Sequence, residues 1–294
     1  MNPWDKYIGK TRERDECVGH KDLSGLASLL DYDVSTFRGG VDSPWPENVA
    51  PPFAHWLNGN PHARQSELGA DGHPQKGTFL PNLPYPRRMW AGSKVQLLQD
   101  YSPGQALLHR ETIKSIEHKS GRSGEMVFVT LQHEYYCDGK PVIFEQQDLV
   151  YRAAGEERSQ EVEVRAQPLD EVELLECYEF DWQRRVQPDP VLLFRYSAVT
   201  FNGHRIHYDR EYATRVEHYP GLVVHGPLTA TLLIDLYQRN NPGQRVIEFT
   251  FKGIRPLFDT DPFILMGKET GSGAELWALD CRGQQAMQMT LLTQ

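Results

Sequence analysis

Over positions 194–213 the chain reads FRYSAVTFNGHRIHYDREYA, which sets Asn202, His204, Arg205 and His207 within six positions. Histidine has an ordinary pKa of about 6.5 and can give or take a proton near neutral pH. Such crowding suits acid–base chemistry, a metal site or a basic patch. His207 is the candidate acid/base; the bland alternative is a histidine that caps a helix or packs beneath a loop. Asn202 cannot take a proton from water. Its amide can accept one hydrogen bond and donate another, and so hold a water molecule; Asn202-Gly203 is equally a common turn dipeptide. His204 would contact substrate or structure, and Arg205 would meet a carboxylate or phosphate or stand solvated. Asp209, two residues past His207, falls on a nearly opposite face of a helix and suits a first turn through the helix dipole. A carboxylate could also arrive from the long loop 33–90.

A second constellation follows at VVHGPLTATLL, residues 223–233. Gly226, without a side chain, would let a carbonyl oxygen approach the free N–H groups of a first helical turn, where the dipole favours negative charge. Pro227 suits that turn because its missing N–H has no helical partner. Gly-Pro is also an ordinary helix start, and His225 would line a pocket or hold the loop.

The elements that must position these groups are partly visible. Leu23, Leu26, Leu29 and Leu30 form an apolar stripe over 21–31, a short amphipathic helix. Residues 33–90 are rich in Gly, Pro, Asn and His, a length of coil that is usually functional; Trp45, Phe53, Trp56 and Phe79 favour a packed loop. KVQLLQDY, HRETIKSIEHK, EMVFVTLQHEYYC and PVIFEQQDLVYR are extended runs separated by turns. A charged linker follows at 153–170. The second half repeats the plan. VLLFRYSAVTF is expected as a strand, so that Tyr196 or Ser197 faces inward; IHYDREYATRVEHY and HGPLTATLLIDLYQRN are expected as helices. RVIEFTFKGIRPLF, DPFILMGKE, AELWALD and AMQMTLL are four more strands. An apolar helix such as 226–239 needs cover on most of its circumference, which a strongly curved antiparallel sheet provides. The expected fold is therefore α+β, a double hotdog, with halves at 1–152 and 171–294.

Composition bounds the partners. With 294 residues, a hydrophobic share of 39% and a net charge of −9, the chain does not advertise nucleic-acid binding. Pro86-Arg87-Arg88 remains a local basic patch for a phosphorylated small molecule. The four cysteines lack disulfide or zinc spacing, which fits a reducing cytosol. No run resembles a signal peptide or a membrane span, so a cytoplasmic protein without membrane partners is expected. Lys119-Ser120-Gly121-Arg122-Ser123-Gly124 lacks Walker spacing and suits a hairpin turn, with phosphate contact as the alternative.

The opening stretch also carries a resemblance. In MaoC-like hydratases and dehydratases the signature runs Asp-x-Asn-Pro-x-His, with an alanine further on. Asn202-Gly203-His204-Arg205-Ile206-His207, then YDREY and Ala213, keeps that spacing with Asn for the first Asp and His-Arg for Asn-Pro. GADGHPQKGTFLPNLPYPRRMWAG, KSGRSGEMVFVTLQHEYY, QQDLVYR and YPGLVVHGPL are similar to the two-hotdog group. That group includes mesaconyl-C4-CoA and itaconyl-CoA hydratases and mitochondrial 3-hydroxyacyl-thioester dehydratases. The resemblance implies a lyase acting on a short branched or dicarboxylic enoyl-CoA, with CoA as part of the substrate and no separate cofactor or metal. It implies His207 as acid/base, Asn202 as water holder, and the helix start at Gly226 as oxyanion site. Tyr196, Ser197, His204, Arg205, His225, Arg87, Arg88 and Trp90 are then candidate substrate or CoA contacts, though Arg87, Arg88 and Trp90 could instead hold the long loop to the sheet. The first half, which has no such motif, would wall the acyl tunnel. A fatty-acid-synthesis dehydratase and a non-catalytic acyl-CoA binder are the alternatives, and a homodimer is expected.

Overall fold

The computed structural model describes residues 3–33, 45–46, 48–60, 62–85, 87–121, 124–152 and 178–294. Its strands are β1 (Thr11–Cys17), β2 (Arg87–Leu97), β3 (Ala106–Gly121), β4 (Gly124–Cys137), β5 (Lys140–Arg152), β6 (Trp182–Val186), β7 (Val246–Gly253), β8 (Phe263–Thr270), β9 (Gly273–Leu279) and β10 (Gln285–Thr293). They form one antiparallel sheet in the order β1-β3-β4-β5-β2-β7-β10-β9-β8-β6. That order is a palindrome: each half contributes the same five-strand sequence, and the halves join where β2 pairs with β7, from Gly92 opposite Lys252 to Gln96 opposite Glu248. Eight of the nine expected strands are present, and the Gly-rich KSGRSG stretch is the hairpin end between β3 and β4, where Gly121 pairs with Gly124. The linker expected at 153–170 lies outside the described residues.

Two strands escape the hydrophobic pattern. β1 reads TRERDEC and β6 reads WQRRV, both edge strands with alternating half-buried and exposed positions. Charged edges blunt further pairing, and that charge hides their strand character.

Three α-helices are described: α1 (His20–Leu29), α2 (Pro190–Val199) and α3 (Gly226–Asn240). α3 is buried from Leu228 to Gln238, as an apolar helix wrapped by a sheet must be. Its one core carboxylate, Asp235, is held by Arg184 of β6 at 2.6 Å, by Arg239 at 3.0 Å and by the Tyr32 hydroxyl at 2.5 Å, which removes the cost of an unpaired buried charge. In the first half α1 packs against α2, and its Leu23, Leu26 and Leu29 are buried as the stripe predicts. In chain order α1 matches α2, since both follow an edge strand. The place before β2 that answers to α3 holds the buried turn Ala54–Leu57, among the aromatic side chains expected to pack the long loop: Trp45, Phe53 and Trp56 are all in the core.

The stretch expected as a strand, VLLFRYSAVTF, is helix α2. Asp189 caps it, its Oδ1 accepting the Leu192 N–H at 2.7 Å, and Pro190 occupies the first turn. An Asp-Pro start outweighs the β-branched and aromatic content that follows. The helix expected over 206–219 is shorter than its pattern: a 3-10 turn, Arg205–His207, and a π turn, Tyr212–Val216, ending near His218 at φ 58°.

Candidate active site

His207 closes the 3-10 turn and is buried, with 7% of its surface exposed. Its Nδ1 lies 2.7 Å from the Val223 carbonyl. A carbonyl only accepts, so Nδ1 carries the hydrogen and Nε2 keeps its lone pair. Burial pushes the ring's pKa down to about 4; the Val223 bond works against that shift and the nearby His73 adds to it. At neutral pH His207 is a neutral imidazole. A second bond, Val223 N–H to Ile206 O at 3.0 Å, ties the same turn to the segment entering α3. The histidine and the helix start are therefore fixed relative to each other.

At that start the first helical bond is Thr229 N–H to His225 O, 3.1 Å. The Gly226 and Leu228 N–H groups thus lie in the turn without helical acceptors. A β-carbon on Gly226 would meet only the Trp90 carbonyl, at 3.9 Å. Packing does not require glycine there, so the missing side chain leaves room for a ligand. His225 stacks on His207 with centroids 3.6 Å apart and planes 17° from parallel. Its Nε2 meets the Ser197 hydroxyl at 2.9 Å. Burial, and then the neighbouring His207, hold His225 well below its ordinary pKa, so the stacked rings are both neutral.

These groups line one cavity of about 1670 Å³, formed between the halves by β2, the loop before it, α2, the motif turn and the start of α3. Ser197, Asn202, His204, Arg205, His207, His225 and Gly226 all reach it, as do Arg87, Arg88 and Trp90 from β2. Tyr196 does not line it. Adjacent residues on a helix point about 100° apart, so Ser197 turns to the cavity while Tyr196 packs inward against His225, centroids 5.0 Å apart, and bonds Thr231.

Several expected contacts have structural partners. The Asn202 Oδ1 accepts the His204 N–H at 3.0 Å, a turn closed by the side chain. Arg205 reaches Asp209 with Nε at 3.0 Å and Nη2 at 2.7 Å, and Ala70 O with Nη1 at 3.0 Å. Its guanidinium holds a loop to the motif. Arg87 bonds the Glu217 carbonyl at 2.7 Å, joining the halves. The Trp90 Nε1–H goes to Ser93 Oγ at 2.9 Å and Gly92 O at 3.1 Å.

The long loop 33–90, from which a carboxylate could arrive, does bring one: loop 69–73, GADGH, carries Asp71 and rests on the motif turn, a contact that sequence reasoning did not name. The Arg205 N–H bonds Asp71 O at 2.9 Å. Gly72 sits at φ +87°, and a β-carbon there would fall 1.9 Å from Gly203 O. Two glycines, one in each half, permit that approach. The loop brings His73 to within 4.0 Å of His204, ring centre to ring centre. Burial, Arg88 and Lys76 lower the His73 pKa to about 4, against the pull of Asp71. Asp71 falls to about 2: burial, which raises it, is outweighed by the His73 ring and backbone and by Arg88. The signal was the pair of glycines, visible in each stretch but not as a pair.

The first-half wall is largely apolar, with Trp56, Leu131, Leu149 and Val150 among its side chains, but it carries one polar patch. Glu145 accepts from Ser93 Oγ at 2.5 Å and Trp56 Nε1 at 3.2 Å and faces His55 Nε2 at 3.1 Å. Burial raises its pKa, but His55, His133 and Ser93 bring it down to about 2. His133 and Gln147 line the cavity beside it.

The family model for hydroxyacyl-thioester dehydratase type 2 matches residues 53–259. The mesaconyl-C(4)-CoA hydratase of Chloroflexus aurantiacus is 39% identical over 290 residues, 98% of this chain and 97% of that protein. The chain belongs to the MaoC-like double-hotdog hydratases and dehydratases. It is therefore a lyase of the hydratase and dehydratase type. Solved folds agree: a MaoC-like dehydratase matches with TM-score 0.68 at 14% identity, covering 98% of each chain. A Mycobacterium tuberculosis protein described as a double hotdog matches with TM-score 0.55 at 13% identity, covering 97% of this chain and 96% of its own. No described helix is long and apolar enough to cross a membrane.

Proposed function

We propose that this hydro-lyase reversibly hydrates a short dicarboxylic enoyl-CoA, mesaconyl-C4-CoA, to citramalyl-CoA, in the cytoplasm and as a homodimer without nucleic-acid partners. The observation that carries the chemistry is His207, neutral, with its donor nitrogen on Val223 and its acceptor nitrogen left for a water, beside the start of α3. In the forward direction the His207 Nε2 takes a proton from water as the oxygen bonds the β-carbon. The π electrons move toward the thioester, whose oxygen gains negative charge. The Gly226 and Leu228 N–H groups and the helix dipole stabilise that oxygen. The proton on His207 then passes to the α-carbon, and the enzyme returns to its starting state. Asn202 donates from its amide nitrogen to the water, its oxygen being held by His204.

Two features support a short, polar acyl group. Glu145, His133 and Gln147 set charged and hydrogen-bonding groups into an otherwise largely apolar wall, a costly match for any alkyl chain that reaches them; this favours a polar acyl group. The curated relative matched over nearly the whole chain is named for mesaconyl-C(4)-CoA. Of the two C5 candidates, only mesaconyl-C4-CoA has its double bond conjugated with the thioester, as an enolate mechanism requires. Itaconyl-CoA would need that bond moved first.

The test follows the ultraviolet absorbance of the conjugated enoyl thioester. The wild-type protein is expected to consume mesaconyl-C4-CoA, and His207→Ala to lose about 10²–10⁴-fold in kcat. Equal, slow consumption by both would remove His207 from the chemistry and favour a non-catalytic binder.

A further inference from the structure

One wall of the cavity gathers more charge than the acid–base step uses. His73 and Arg88 of the first half and His204 of the motif turn line it, and Asp71 stands behind His73 in a smaller neighbouring pocket. His204 meets His207 edge-on, centroids 5.3 Å apart, and stacks at a tilt on His73. The Asp71 carboxylate is already engaged: Oδ1 accepts the His73 backbone N–H at 3.0 Å, and Oδ2 faces the His73 Nδ1 at 3.2 Å. Arg88 differs from its neighbour Arg87. Arg87 has Glu217 within 3.4 Å, whereas no carboxylate among the described residues pairs with Arg88 inside 4 Å. By spacing alone Asp71, His73 and His204 could hold a metal ion, since their donor atoms lie within 4.8 Å of one another. The Arg88 charge acts on all three groups, which opposes another cation there and favours an anion. The wall is also rigidly built, because the Gly72–Gly203 approach and the Arg205 bonds to Asp71 O and Ala70 O lock its two parts together.

The substrate reading above supplies such an anion, and the inference rests on it. In citramalyl-CoA the carbon that receives the hydroxyl also bears the carboxylate. The anion must then lie beside the attacking water, close to His207, and not at the far end of an acyl tunnel. We propose that Arg88 and His204, backed by the Asp71–His73 pair, bind the carboxylate on the substrate's β-carbon. Asn202 stands where the family signature has Asp because a protein carboxylate at that point would repel the substrate's own. One amide thus serves two needs: it holds the water and it leaves the local charge to the ligand. Arg205, fastened to Asp209, keeps the wall in place.

Isosteres that exchange the carboxylate for a methyl group isolate this effect. The saturated diacid thioester 2-methylsuccinyl-C4-CoA and its counterpart isovaleryl-CoA measure binding by calorimetry. Mesaconyl-C4-CoA and 3-methylcrotonyl-CoA measure turnover. Wild type is expected to favour the diacid of each pair. Arg88→Gln is expected to shrink that preference about ten- to a hundredfold, the weight of a charge-assisted hydrogen bond, while Arg88→Lys retains a larger share of it. A residue that merely contacted CoA, or held the fold, would weaken both members of a pair alike and leave the ratio unchanged; that result overturns the proposal while the diacid substrate stands. A wild type with no preference for the diacid in either assay overturns the substrate reading and this inference together.

Discussion

At the scale of single residues, the two histidines and one amide of the motif divide their work by what each already bonds. His207 donates to Val223 and so has one nitrogen left for a proton; Asn202 accepts from His204 through its oxygen and keeps both amide hydrogens to donate. The nearness of the two residues was legible in the spacing, because a histidine five positions after a polar turn residue is a property of sequence. The partners were not legible, because Val223 and Ser197 reach the site through folding alone. The division predicts opposite behaviour for two substitutions. Asn202→Asp keeps the acceptor that closes the turn, so its melting temperature should stay within about 2 °C of wild type, since the bond at stake is worth only about 1 kcal/mol. Its kcat/KM for mesaconyl-C4-CoA should nevertheless fall at least about tenfold, mainly through KM, because a carboxylate then faces the substrate's. Asn202→Ala removes the water donor and should lose kcat with little change in KM. Near-normal kcat/KM in both variants would show that Asn202 is only a turn residue.

At the scale of elements, the site exists because two segments from different halves touch through glycine. Gly72 and Gly203 approach so closely that neither tolerates a side chain, and this contact carries His73 to His204. Gly72→Ala should therefore separate loop 69–73 from the motif while leaving the sheet intact. Alanine in the left-handed region costs about 1–2 kcal/mol, and the clash with Gly203 O adds to it. The expected signature is a melting temperature lower by several degrees, unchanged far-ultraviolet circular dichroism, and a loss of the diacid preference. A variant with wild-type preference would mean that the loop does not build the binding wall. The same scale explains what could be read beforehand. Eight strands and two helices announced themselves by periodicity, because one face of each is buried. α2 did not, since Leu, Phe, Tyr and Val fill its interior and only Asp189-Pro190 marks it as a helix. β1 and β6 did not, because an edge strand with one covered side can be almost wholly charged.

At the scale of the molecule, the halves meet along β2 and β7 and enclose a cavity whose proposed chemistry depends on keeping imidazoles neutral. Burial achieves this for His207, and it couples catalysis to acid stability. The folded His207 has a pKa of about 4, against about 6.5 in an unfolded chain. Above pH 6.5 the ring is neutral in both states and contributes no pH dependence. As pH falls from 6.5 toward 4, the unfolded chain takes up a proton that the folded one refuses, so stability drops, by about 3 kcal/mol from this ring alone once pH 4 is reached. Burial also lowers His225, His73 and His204, and each acts in the same direction. The carboxylates of Glu145 and Asp71, with folded values of about 2, contribute stability above their unfolded pKa values and lose it as pH falls through the folded ones, which extends the decline below pH 4. Urea unfolding measured from pH 7.5 to 4.5 should therefore show a steady loss of stability beginning near 6.5. His207→Gln, which has no proton to refuse, should show a visibly shallower slope over that interval. Identical slopes would mean that His207 is solvated in solution and that its neutral state does not come from burial. The enzyme would then have to hold its base neutral by pH alone, and the enclosure made by the two halves would serve substrate binding without tuning the proton transfer.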